Sequence, residues 1–173
     1  MRLCGARRAL IGAALPSVCA AAMWAATAQG GPGWLTGLYC GQTSPPHPIR
    51  MVCGTGKTDT ILNADVAVVI KGSTVDHLNS YLPVKCHGGA APHVMPGIQM
   101  IFFQMAIGSG GRFSSSTAKT QIRFFHGSVS GVVKGALVRG TLTLAGSIGA
   151  SSCTTGTLPF TATWRNAETG GGG

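Results

Sequence analysis

The sequence predicts an all-β fold: an antiparallel β-sandwich of about 7–9 strands, preceded by a cleaved signal peptide. Three observations carry this. No segment repeats apolar residues at helical spacing. Turn signals recur about every eight to twelve residues, in a chain with 27 glycines. Several stretches alternate apolar and polar side chains, the period of a strand with one packed and one wet face.

The elements follow in order. Residues 1–28 read as a secretory signal: Arg2, Arg7 and Arg8 form the basic start, an apolar run broken by Pro16 follows, and Ala26-Thr27-Ala28 is the cleavage site. Residues 29–166 form a single β-sandwich domain, with a Pro-rich insertion at 43–60, and residues 167–173 are a disordered Gly-rich tail. No other segment is long and apolar enough to span a bilayer, so the mature chain is expected to carry no transmembrane segment.

In "VDHLNSYLPVKC", Leu78, Leu82, Val84 and Cys86 share one face. In "GALVRGTLTLAG", Val138, Leu142 and Leu144 face the core, while Arg139, Thr141 and Thr143 face water. In "TLPFTATWR", Leu158, Phe160, Ala162 and Trp164 point in, and Thr161, Thr163 and Arg165 point out. Two stretches break the rule. "IQMIFFQMAI" is apolar on both faces, with Phe102 and Phe103 adjacent, and "QIRFFHGSVSG" repeats the pair as Phe124 and Phe125. Either the insertion before residue 60 covers these strands, or the four phenylalanines mark a surface for a protein or lipid partner.

Cleavage leaves four cysteines, Cys40, Cys53, Cys86 and Cys153, an even number suited to disulfides in an oxidising compartment. Four cysteines allow three pairings; Cys40–Cys53 with Cys86–Cys153 is the expected one. Zinc held by Cys86, His87 and His93 competes, but no C-x-x-C or H-x-x-x-H spacing supports it.

Charge and motifs restrict function. Removing the three signal arginines from thirteen cations leaves ten against four acids, a net near +6. The ten are scattered singly, which fits loose attraction to anionic envelope polymers and excludes a specific nucleic-acid reading head. Gly56-Lys57-Thr58 resembles the end of a P-loop. Met51 occupies the first glycine position, however, and the following residues favour strand, so a turn is expected and no nucleotide. The acids are Asp59, Asp65, Asp76 and Glu168, with Asp59 and Asp65 placed as turn residues before strands. Asp76-His77 is the one adjacent acid–imidazole pair, and strand alternation is expected to turn its members to opposite faces. No catalytic, cofactor-binding or metal-binding residues are assigned.

The chain also resembles a group of small secreted actinobacterial β-sandwich proteins of uncharacterised function. The resemblance lies in Gly37-Leu38-Tyr39-Cys40-Gly41-Gln42-Thr43, Val84-Lys85-Cys86, Arg112-Phe113-Ser114, Gly127-Ser128-Val129-Ser130-Gly131 and Gly140-Thr141-Leu142. Cys153-Thr154-Thr155-Gly156-Thr157 and Phe160-Thr161-Ala162-Thr163-Trp164 complete it. It implies a β-sandwich with a Cys86–Cys153 disulfide and brings no catalytic residues; Cys40, Cys53 and the insertion depart from the pattern. The expected role is a secreted, disulfide-stabilised module that binds or associates with the cell envelope. Its alternatives are an interaction module using the Phe-rich face and a small extracellular hydrolase using Asp76 or His77.

Overall fold

The computed structural model describes residues 33–46, 51–53, 60–62, 64–89 and 94–166. The expected signal peptide, the tail and most of the insertion, including Gly56-Lys57-Thr58, lie outside these residues. The described chain is strand throughout: β1 (Gly37–Thr43), β2 (Met51–Cys53), β3 (Thr60–Leu62), β4 (Val66–Lys71), β5 (Thr74–His87) and β6 (Val94–Ala106) come first. After a short 3-10 turn come β7 (Arg112–Ser115), β8 (Lys119–Thr120), β9 (Phe125–Lys134), β10 (Leu137–Ile148) and β11 (Ser151–Asn166). Every strand pairing is antiparallel.

Nine strands form one sheet in the order β7-β9-β10-β11-β1-β4-β5-β6-β8. Its two edge strands are neighbours in sequence, separated only by residues 116–118, so one short stretch pairs first with β9 and then with β6. This draws the edges together and wraps the sheet into two layers around a single core. Met100 of β6 reaches across that core into space left open by Gly127 of β9.

Two long strands organise the sheet. β5 and β11 hold 14 and 16 residues, and the shorter β1 and β4 are wedged between them at one end. Where the wedge stops, the long strands pair directly, Lys85–His87 against Ser152–Thr154. Cys86 lies opposite Cys153, and the two form a disulfide. Closing a loop of 67 residues accounts for about 4 kcal/mol in the chain-entropy picture. The second disulfide, Cys40–Cys53, fastens the β2–β3 hairpin to β1.

That fastening builds a second, smaller apolar cluster. Leu38, Cys40, Cys53, Ala64 and Val69 form a small separate cluster on the outer side of β1 and β4. Of the four phenylalanines, Phe102 and Phe125 are buried and Phe103 and Phe124 are exposed; most of the insertion expected to cover them lies outside the described residues.

A backbone kink in β6, level with a bulge in β5, explains the doubly apolar strand. Ile98, Met100 and Phe102 face inward, and beyond Gln104 (φ 50) so do Met105 and Ile107. The inward parity has switched within β6. Its partner switches at the same level, with Val75 opposite Met105 and His77 opposite Phe103. Against β4 the register slips between Val69 and Ile70, leaving Asp76 as the extra residue.

At the end remote from Cys86–Cys153, residues 33–36 strap the sheet closed. The buried Tyr39 hydroxyl donates to Leu35 O at 2.6 Å and lies 3.0 Å from Gly135 O. Burial raises the Tyr39 pKa, and the bond to Leu35 partly offsets this. Trp34 Nε1 donates to Gly72 O at 2.9 Å, and Trp164 Nε1 to Thr36 O at 3.1 Å.

Candidate functional site

Strand alternation sorts the outer face of β7, β9, β10 and β11 into rows. Arg112, Val132, Arg139, Thr161 and Gln42 follow one another across adjacent strands through successive register pairs. The next row is Ser114, Ser130, Thr141 and Pro159, and a third holds Ser128, Thr143 and Thr157. Neighbours within a row are about 4.8 Å apart and rows about 6.8 Å apart. Cross-strand hydroxyls bond to each other, Ser130 to Thr141 at 3.0 Å and Ser128 to Thr143 at 2.5 Å.

Three shallow depressions lie along this face. The largest, about 780 Å³, is bordered by Arg112, Ser114, Ser130, Val132, Arg139 and Thr141. A second, of about 490 Å³, includes Gln42, Thr161, Thr163 and Arg165. A third runs along Ser114, Ser115, Ser116 and Ser128. Arg112, Arg139 and Arg165 are all exposed. Neither described carboxylate is available to them: Asp65 is buried at the fork between β1 and β4, and Asp76 pairs with Lys71 on the other layer. Among the described residues no ion pair involves these three arginines.

The sequence-predicted residues divide. Cys40, Cys53, Cys86 and Cys153 form the two disulfides, so Cys86 has no thiolate to offer zinc. Phe102 and Phe125 are core residues; exposing them would cost about 2 kcal/mol each. Phe103 and Phe124 are 47% and 69% exposed, and the Lys119 ammonium sits 5.1 Å from the Phe103 ring centre.

Asp76 and His77 share a side of the sheet, contrary to the alternation argument, because the bulge removes one step of that alternation. Asp76 Oδ2 lies 3.3 Å from His77 Nδ1 and 3.1 Å from Lys71 Nζ. Gln104 Nε2 donates to Asp76 Oδ1 at 2.8 Å. The Lys71 hydrogen bond, chiefly, holds the Asp76 carboxyl below the ordinary range, with burial opposing it and His77 and Gln104 assisting. This is a carboxylate saturated by local partners, an arrangement that suits anchoring a bulge better than activating a nucleophile.

Asp65 is not the simple turn residue its position before β4 suggested. It is 1% exposed, and it accepts from the Thr43 backbone N–H and hydroxyl. The arginine row was invisible as a unit in the sequence, where Arg112 and Arg139 are 27 positions apart. Half of the signal was present as the outward set Arg139, Thr141, Thr143, Thr161, Thr163 and Arg165.

Comparison with protein-family models, curated proteins and solved structures returns no match to this chain. The described residues hold no helix long and apolar enough to cross a membrane.

Proposed function

We propose that this chain is a secreted, envelope-associated binding module whose ligand is an anionic polymer, held on the outer face of β7, β9, β10 and β11. The carrying observation is the partition of charge. Arg112, Arg139 and Arg165 stand among serines and threonines, while the described acids are buried at the fork or paired on the other layer. A shallow, hydroxyl-lined surface whose guanidinium forks pair with no acid among the described residues suits extended chains bearing anionic groups and hydroxyls. The signal sequence and the two disulfides support an extracytoplasmic setting.

Retention on isolated cell wall and purified polysaccharide at low and high salt tests this reading. Retention at low salt that falls at high salt, and is lost in an R112S/R139S variant, is the expected result. No retention under either condition contradicts it.

Exposure of Phe103 and Phe124 favours a second reading, a protein-interaction surface, although Phe102 and Phe125 contribute nothing to it. It predicts concentration-dependent mass in sedimentation, abolished by F103S/F124S; a strict monomer removes self-association.

A further inference from the structure

We propose that the groove between Arg112 and Arg139 is a subsite for a tetrahedral oxyanion, the phosphate group of a phosphate-bearing polymer, in preference to a carboxylate. This rests on the anionic-polymer reading and specifies its chemistry.

Arg112, Val132 and Arg139 occupy consecutive positions across β7, β9 and β10. Two strand spacings place the arginine backbones about 9.6 Å apart. Two extended arginine side chains reach further than that combined, and both border the same groove. Val132 between them is aliphatic and half-buried, so it supplies a floor and no counter-charge. Guanidinium groups brought together over it would repel each other, and an anion seated between them would relieve that repulsion.

The second row supplies the remaining donors. Ser114, Ser130 and Thr141 line the same groove one row along. Their hydroxyls can rotate toward a ligand, with Ser130 and Thr141 already 3.0 Å apart. A carboxylate has two oxygens in one plane and is satisfied by a single fork. A phosphate presents oxygens in several directions and uses two forks together with hydroxyl donors.

The test compares polyphosphate with polygalacturonate, at matched charge, for binding to the disulfide-bonded protein. One further charge-assisted hydrogen bond gives an expected preference for polyphosphate of about tenfold. An R112K/R139K variant keeps both charges and loses the forks; it should bind the two polymers equally, with the larger loss falling on polyphosphate. Equal binding by the unmodified protein, or a preference that survives in the lysine variant, overturns the subsite and leaves the anionic-polymer reading standing. Binding of neither polymer overturns both. Vesicles of phosphatidylglycerol in place of polyphosphate identify the source. Capture that is lost in the lysine variant supports the subsite with a lipid headgroup as donor; capture unaffected by the variant argues against the subsite as the phosphate reader.

Discussion

Thr43 and Asp65, 22 residues apart, are joined by two hydrogen bonds at the fork where β1 and β4 part and β5 and β11 come together. The Thr43 backbone N–H donates to Oδ1 at 2.6 Å, and its hydroxyl donates to Oδ2. The Asp65 backbone is committed as well: its N–H donates to Gly41 O and its carbonyl accepts from the Tyr81 N–H, both at 3.1 Å. One buried residue, through its side chain and its backbone together, thus joins the end of β1, the start of β4 and the middle of β5 at a single junction.

Replacing Asp65 by Ala strands the Thr43 N–H out of water and leaves its hydroxyl only the longer bond to Pro45 O at 3.2 Å. The expected loss is about 2–3 kcal/mol, measured by urea unfolding, with the slope unchanged. Asp65→Asn keeps one acceptor and should recover part of the loss. Equal stability of the Ala variant would show that the junction is held by backbone pairing alone.

Ser80 gives the opposite expectation. Its hydroxyl is fully buried on the inner face of β5, without a hydrogen-bond partner among the described residues. Ser80→Ala removes an unsatisfied polar atom, so stability should stay level or rise by about 1 kcal/mol. Thermal unfolding checks this; a clear destabilisation would reveal a partner for the hydroxyl.

Asp76 predicts a pH effect. Its carboxyl pKa is lowered in the folded state, mainly by Lys71, so folding favours the ionised form. The contribution is complete above the unfolded carboxylate pKa, about 3.9, and is lost as pH falls through the folded value. For a pair with Lys71 more than half exposed, the size should be below about 1 kcal/mol. Unfolding curves of the parent and Asp76→Asn should therefore differ slightly at neutral pH and converge at pH about 2. A gap that persists in acid would mean that packing at the bulge, and not charge, is what the substitution disturbs.

Much of this architecture can be read from period-two alternation. Leu78 to Cys86, Val138 to Leu144 and Leu158 to Ala162 fall on the faces their spacing implies. The reading fails where alternation is interrupted. At Asp76-His77 a bulge, and at Phe103-Gln104 a kink at the same level, turn adjacent residues to the same side, and no residue type there announces them. Gln104 is a non-glycine residue at φ 50, a conformation its identity does not signal. The candidate site was half legible for a different reason. Alternation identifies which side of a strand is wet, but only register shows that Arg112 and Arg139 flank the same valine. Long-range register depends on how the sheet wraps, and β7, only four residues long, carries little pattern of its own.

The location of the binding face is the central claim, and backbone amide shifts during titration with an anionic polymer address it most directly. Changes should concentrate at Arg112, Ser114, Ser130, Val132, Arg139, Thr141 and Thr161, with Asn79, Tyr81 and Phe103 on the other layer undisturbed. Changes centred on Phe103, Lys119 and Phe124, with the arginine row silent, would contradict it.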